Sequence, residues 1–341
     1  MEALRRAVKS VRAQTYSHLE IILVADGPRA THVDALEKEM RDSRLRVVHL
    51  DKAQGPAAAR NAGAETAQGE YLAFLDDDDE WLPEKLEVQM ALAKANPDAA
   101  LIFTDAYWVT GYAKKTFFKM MDFHGPATFE EICRRNFVAS CSVAAVKTSA
   151  FEEARGFDAS PDIVGLDDYD LWARLLLASH RAVYSARPLA VHYEHKESYS
   201  QTLPFLKSGV NFSAKLERLC RGRPDCAALV RKHAARPLLY AARFYLSLGQ
   251  AAAAKECRKQ YVALRPELMA SYAALFHGEA YKLLREGKAR EARRFLAFSM
   301  WHRPAYLKNY LYWAFSYLPL PAYQAARTLK RCLARRKEKK P

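Results

Sequence analysis

Cysteine is sparse in this chain: six residues in 341 (Cys133, Cys141, Cys220, Cys226, Cys257, Cys332), none spaced as CxxC. That pattern excludes a paired-thiolate zinc module and a secreted disulfide scaffold, and it predicts a reducing, cytoplasmic setting. Long apolar runs are missing as well. The longest uncharged stretch, 309–326, contains Pro319, Pro321, Gln324 and several tyrosines, which makes it a poor membrane span. Met1 is followed by Glu-Ala-Leu-Arg-Arg rather than by the apolar core of a signal peptide. Acidic residues nearly vanish from the second part of the chain. Residues 201–341 hold 8 Asp+Glu against 29 Lys+Arg, a net +21, whereas residues 1–200 hold 31 against 24, a net −7. Half of all residues are apolar and 27% are charged, so a sizeable core can form and global disorder is excluded. The charge split predicts two functional parts, the second facing something anionic.

Residues 1–203 alternate between the periodicities of helix and strand. Leu4, Val8 and Val11 fall on one helical face of 2–14, and short apolar segments at 20–24, 45–50, 70–75 and 100–104 read as strands. Polar loops and helices separate them, around 31–41, from Pro56, and from Trp81-Leu82-Pro83 to about Asn96. Strand, loop, helix in repetition predicts an α/β domain with a parallel-rich mixed sheet whose ligands lie at the strands' carboxyl ends.

Residues 204–326 are helical in pattern throughout, and they echo themselves. Gly249, Ala254 and Pro266 recur 38 positions later as Gly287, Ala292 and Pro304. Helix, glycine turn, Ala-rich helix and closing proline is the logic of a tetratricopeptide-like hairpin, with a plain helical bundle as the alternative. The end, 327–341, is a basic tail with eight Lys/Arg and one Glu between Arg327 and Lys340.

The chemistry concentrates in Phe74-Leu75-Asp76-Asp77-Asp78-Asp79-Glu80-Trp81-Leu82-Pro83. Carboxylates crowded at the end of a buried strand repel one another, and a fold tolerates them when a cation or polar ligand neutralises the charge. Mg²⁺ and Mn²⁺ prefer such oxygens and commonly share them with a diphosphate. Taken alone, the run also reads as a solvated loop ahead of a helix. An EF-hand is excluded, because Trp81 and not glycine stands sixth from Asp76. Asp167-Asp168-Tyr169-Asp170-Leu171-Trp172 is a second acidic segment; its plain reading is a helix N-cap.

Six segments occur together in one order: SVRAQTY (10–16), EIILVADGP (20–28), GPAAARNAG (55–63), the FLDDDDEWLP run, GFD (156–158) and DDYDLWAR (167–174). Over about residues 2–200 this set resembles the inverting family 2 glycosyltransferases of the GT-A fold. The resemblance implies a nucleotide-diphospho-sugar transferase domain, Rossmann-like, at 1–203, followed by the all-α region. It implies that Asp26 accepts a hydrogen bond from the nucleotide base, that Arg60 and Asn61 border the nucleotide, and that Asp76 and Asp77 face the ribose or the outer coordination sphere. Asp78 is the implied metal ligand, for Mn²⁺ or Mg²⁺. Asp168 is the implied general base, with Asp167 where the family usually has Glu. His195, in a segment similar to YRxHxxxxS with Ser198 and Ser200, is an implied metal or diphosphate contact. Asp105 matches a family aspartate with a structural role, and Asp170 is left to cap its helix or pair with Arg174.

Two departures stand out. Ala25-Asp26 keeps one of the family's usual pair of aspartates, and the chain begins at the SVRAQTY helix without the apolar strand resembling VSVIIPTYN that precedes it in the family. A sheet without that strand leaves backbone unpaired, so the expectation is an upstream start or a fragment. The resemblance implies metal-dependent, inverting transfer of a sugar from a nucleotide-diphosphate donor to a hydroxyl of a glycan or lipid-linked acceptor, in cell-envelope polysaccharide or glycolipid synthesis. The competing reading is a non-catalytic interaction protein with a degenerate transferase domain. Tyr306, Tyr310, Tyr312, Trp313, Phe315, Tyr317 and Tyr323 ahead of the basic tail suit peripheral contact with an anionic membrane on its inner face, against the alternative of a core stripe and a solvated tail. No nucleic-acid-binding motif accompanies the charge.

Overall fold

Helix α1 (Glu2–Arg12) presents Ala7, Val8 and Ser10 to the interior. In the computed structural model, which describes residues 1–28, 31–194 and 203–317, it is followed by β1 (Ile21–Ala25), α2 (Thr31–Met40) and β2 (Leu45–His49). These strands pair in parallel, Ile21 opposite Leu45 and Ala25 opposite His49. Val8, Ile21, Leu36, Met40 and Leu45 form their own small core beneath them.

Then come α3 (Pro56–Thr66), β3 (Tyr71–Ala73), β4 (Glu80–Trp81), α4 (Lys85–Ala95), β5 (Ala99–Thr110), β6 (Ala113–Thr116), α5 (Phe117–Met121) and α6 (Phe129–Arg134). A 3-10 turn at Cys141–Val143 leads into β7 (Ala144–Lys147), α7 (Thr148–Glu153), α8 (Asp167–Leu177) and β8 (Arg181–Glu194). The second sheet runs in the order β3-β7-β5-β8-β4, with β6 also paired to β5. Leu101 and Phe103 of β5 and Val146 of β7 share one fully buried core with Val143 of the 3-10 turn and Leu171 and Trp172 of α8.

The sheet is mixed, as the sequence pattern indicates, but it is less parallel than expected and lies in two pieces. Among the described residues only β1–β2 and β5–β8 pair in parallel; the other four pairings are antiparallel. The cause is β5. It extends to Thr110, turns back at Gly111 into the β6 hairpin, and takes β7 antiparallel on one side. Among the described residues β1 pairs with β2 alone and β3 with β7 alone, so each keeps one edge without a strand partner.

The chain divides into two compact units, Met1–His233 and Ala234–Pro341. Helix α9 (Leu203–Leu219) belongs to the first, and α10 (Pro224–Ser247) crosses the boundary. Pro237 lies inside α10, where it has no N–H to offer the carbonyl of His233, the last residue of the first unit.

In the second unit α11 (Ala251–Leu264), α12 (Met269–Arg285), α13 (Ala289–His302) and α14 (Leu307–Phe315) follow. The 38-residue echo is physical. Gly249 and Gly287 both adopt left-handed φ, +79° and +78°, which lets each close a helix at no steric cost. The next amide reaches back five residues in both, Gln250 N–H to Tyr245 O at 2.8 Å and Lys288 N–H to Leu283 O at 2.9 Å. Ala254 and Ala292 are both fully buried in the helices that follow. Tyr261, Tyr272, Phe276 and Phe298 pack around His302, whose ring accepts the Tyr261 hydroxyl at 2.5 Å. Burial holds that histidine near pKa 4, neutral and structural. No helix among the described residues is long and apolar enough to cross a membrane. The basic tail lies outside the described residues.

Candidate active site

The acidic loop after β3 is clasped from the first helix. Ser10 Oγ accepts the Trp81 N–H at 3.1 Å, Gln14 Nε2 donates to Leu82 O at 2.8 Å, and Gln14 Oε1 accepts the Leu86 N–H at 3.0 Å. These bonds explain why SVRAQTY and EWLP occur together: one motif supplies the side chains that satisfy the other's backbone. From the other side, Ser142 accepts the Asp76 N–H on its Oγ at 3.1 Å and the Trp81 Nε1–H on its carbonyl at 2.7 Å.

The four aspartates have different surroundings. Asp77 is exposed; Asp76 and Asp78 are half-buried. Asp79 is fully buried and bonded to His192 Nδ1 at 3.0 Å, so it faces inward rather than toward ligand. Burial, followed by the charges of Asp79, Asp76 and Asp77, raises the Asp78 pKa, while His192 works against the rise. Burial disfavours a charged His192, but its bond to Asp79 and the surrounding acids prevail and raise its pKa. Such a loop has a carboxylate whose ionisation costs energy, the condition a divalent cation relieves. The fit to Mn²⁺ or Mg²⁺ rests on Asp78 and its neighbours. Among the described residues no group of three or more His, Cys, Asp or Glu side chains is placed to hold a metal ion.

Arg60, on α3, joins this loop to α8. Its Nη2 donates to Asp76 Oδ1 at 2.5 Å and its Nη1 to Asp167 Oδ2 at 2.7 Å. Burial opposes its charge, but the nearby acidic groups outweigh that cost and raise its pKa further. Asp167 and Asp168 open α8. Burial raises the Asp167 pKa against the pull of Arg60. Asp168 is pushed up to about 7, first by burial and then by the adjacent Asp167 charge. Arg60, Asp76, Asp78, Asp167 and Asp168 therefore form one electrostatically connected group, drawn from three distant parts of the chain.

Asn61 is committed elsewhere. Its Nδ2 donates to Phe157 O at 2.8 Å and its Oδ1 accepts Phe157 N–H at 2.9 Å. Gly156 sits at φ +65°, where an added Cβ would stand 2.6 Å from that Asn61 oxygen, so the GFD turn requires glycine there. Asp26, exposed at the tip of β1, uses both oxygens to hold a turn, accepting Gln54 N–H at 2.7 Å and Gly55 N–H at 2.8 Å. Asp170 pairs with Arg174 at 2.7 Å and with Lys215 at 2.6 Å. Asp105 accepts Ala106 N–H at 2.8 Å and Phe118 N–H at 2.9 Å, a structural role. His195, Ser198 and Ser200 lie outside the described residues. The sequence pattern overlooked His192 and Ser142; both act through backbone proximity that no spacing rule encodes.

The α/β unit has the GT-A fold. The chain superposes on residues 1–349 of S. aureus TarS, crystallised with UDP, with a TM-score of 0.58 at 14% identity, covering 89% of this chain and 88% of that one. It also superposes on the mannosyltransferase PcManGT of Pyrobaculum calidifontis, crystallised with GDP-Man and Mn²⁺, with a TM-score of 0.55 at 17% identity, covering 89% and 84%. Residues 2–154 match Glycosyl transferase family 2. A Bacillus subtilis (strain 168) protein named for teichuronic acid biosynthesis, TuaG, is 45% identical over 84 residues, 24% of this chain and 33% of that one. One named for colanic acid biosynthesis in Escherichia coli (strain K12), WcaA, is 37% identical over 109 residues, 31% and 38%. The chain spans at most 38% of the length of these two curated relatives.

Proposed function

We propose that the protein transfers a sugar from a nucleoside-diphosphate donor to a hydroxyl of a glycan or lipid-linked acceptor, with inversion, in cell-envelope polysaccharide or glycolipid assembly. The observation that carries this reading is Arg60 bridging Asp76 of the acidic loop and Asp167 of α8, which joins a donor-side carboxylate to the base-side pair. The relatives named for envelope polysaccharides support the setting, and the nucleotides and manganese with which the structural neighbours were crystallised support the donor class.

In this reading Asp168 takes the proton of the acceptor hydroxyl. The freed oxygen forms its bond to the anomeric carbon opposite the departing diphosphate, which leaves with the electrons of the broken C–O bond. A pKa near 7 leaves Asp168 basic enough to accept that proton and ionised for part of the time at neutral pH. Asp78, with His195 by family position, would hold the divalent cation, and Asp76 and Asp77 would face the ribose or the outer coordination sphere; bound, the cation neutralises charge on the leaving diphosphate. Asp26 and Arg60 flank the nucleotide side. Asn61 and Gly156 act by shaping the turn that carries Phe157.

The direct test is Asp168→Asn: donor binding persists, measured by titration with nucleoside diphosphates and Mn²⁺, while transfer stops. Continued transfer assigns the base elsewhere. Peripheral attachment to the inner membrane face follows from the aromatic segment and the basic tail. Removing residues 325–341 lowers sedimentation with anionic vesicles, and unchanged sedimentation assigns that tail to solvent.

A further inference from the structure

The turn between α9 and α10 holds a concavity of about 500 Å³ that the transferase chemistry does not use. Arg218, Arg221 and Arg231 line it together with Glu217, Cys220 and Gly222. Arg231 is balanced by Glu217 at 2.8 Å. The side chains of Arg218 and Arg221 are exposed and make no hydrogen bond, ion pair or ring contact among the described residues. With Glu217 paired to Arg231, the guanidiniums of Arg218 and Arg221 line one hollow with no acidic partner of their own among the described residues, and the fork of each matches the oxygens of a tetrahedral phosphoryl group. The turn is not a loose appendage: Arg223 donates to the carbonyl of Leu177, so it is fastened to the end of the helix that opens with Asp167 and Asp168. Lys215, three residues before Arg218 and so on the same side of α9, bonds Asp158 at 2.7 Å and Asp170 at 2.6 Å. Those two ion pairs tie α9 to α8 and leave Arg218 and Arg221, among the described residues, as the unpaired cations at the end of α9 that lines the hollow.

We infer that this concavity binds a phosphoryl group, and, resting on the transferase reading, that the group belongs to an anionic acceptor or its lipid carrier. Arg218 and Arg221 supply the charge-assisted bonds, and Arg231 sets the far wall. Binding weakens as salt rises, because the guanidiniums are solvent-facing.

The experiment titrates tripolyphosphate into the full chain by calorimetry in EDTA, which keeps the cation site unloaded. The wild type is compared with Arg218→Gln/Arg221→Gln and with the charge reversal Arg218→Glu/Arg221→Glu. The expected result is saturable binding that weakens at least tenfold in the Gln pair and disappears in the Glu pair. Nucleoside-diphosphate binding with Mn²⁺ stays unchanged in both. A parallel sedimentation arm with phosphatidylglycerol vesicles against phosphatidylcholine vesicles separates the sources. Arginine-dependent pelleting with the anionic lipid places the phosphate on a headgroup, and calorimetric binding without pelleting places it on a soluble chain. Equal tripolyphosphate affinity in wild type and variants, or no saturable binding by the wild type, overturns the inference. Loss of nucleoside-diphosphate binding by the wild type, with the arginine-dependent signal intact, counts instead against the transferase reading.

Discussion

Arg60 donates to Asp167 at 2.7 Å with its other arm on Asp76, so a single half-buried guanidinium is the counter-charge for both the acidic loop and the start of α8. Remove it and two carboxylates lose their counter-ion in a water-poor site. Arg60→Met therefore destabilises the fold by about 3 kcal/mol, the usual cost of orphaning a buried partner. It also moves the base upward, since Arg60 lowers the Asp168 pKa. The rising limb of kcat/KM against pH shifts alkaline, which a purely structural role does not predict. An unmoved limb in a folded variant would remove Arg60 from the charge network.

Asp168 titrates in the folded protein near 7, well above an exposed aspartate. The sign follows from proton counting. Between the ordinary value near 4 and the folded value near 7 the native state binds more protons than the unfolded chain, so this group's contribution to stability falls as pH rises through that window. Asp168→Asn raises Tm relative to wild type at pH 8, and the gain vanishes toward pH 4. Thermal melts at the two pH values check this; an equal difference at both contradicts the assignment.

Asp78 is held at a raised pKa by burial and by three neighbouring acids. Asp78→Asn relieves repulsion, so the apo protein melts at the same temperature or higher. The variant loses the rise in Tm that Mn²⁺ gives the wild type, because ligand stabilisation requires the site. It also loses metal-stimulated donor turnover. A full Mn²⁺ shift in the variant moves the cation site away from Asp78.

Gln14 spans Leu82 O and Leu86 N–H at 2.8 and 3.0 Å. Gln14→Ala leaves a buried carbonyl and amide without that partner, a loss of about 1–3 kcal/mol. Chemical denaturation checks the magnitude. Because Gln14 touches none of the reacting groups, nucleotide affinity in the folded variant falls less than in Asp78→Asn.

Much of the site was legible in the sequence because its residues sit at strand ends and helix starts, where the local pattern dictates position. Asp76–Asp79 follow an apolar strand, Asp167 and Asp168 open an amphipathic helix, and the pairing of Asp170 with Arg174 at i,i+4 is a property of the helix itself. The 38-residue echo was legible because a glycine at a left-handed helix end leaves the same local trace each time. Tertiary assignments were harder. Asn61 and Asp26 are polar residues within the motif segments, yet their hydrogen bonds close turns whose partners, Phe157 and Gln54–Gly55, are 96 and 28–29 residues away. His192 meets Asp79 across 113 residues, a relationship set by β4 pairing with β8 and invisible to spacing. The short antiparallel β5–β6 hairpin was likewise hidden, because its second strand, Ala113–Thr116, reads as polar loop.

The most direct measurement is nucleotide release across a panel of nucleoside-diphosphate sugars with Mn²⁺, run on the wild type and on Asp78→Asn side by side. The account predicts one donor whose turnover requires the metal, is blocked by EDTA and is lost in the variant. Turnover of every donor at the uncatalysed rate by a folded wild type that binds Mn²⁺, or turnover that survives Asp78→Asn unchanged, contradicts it.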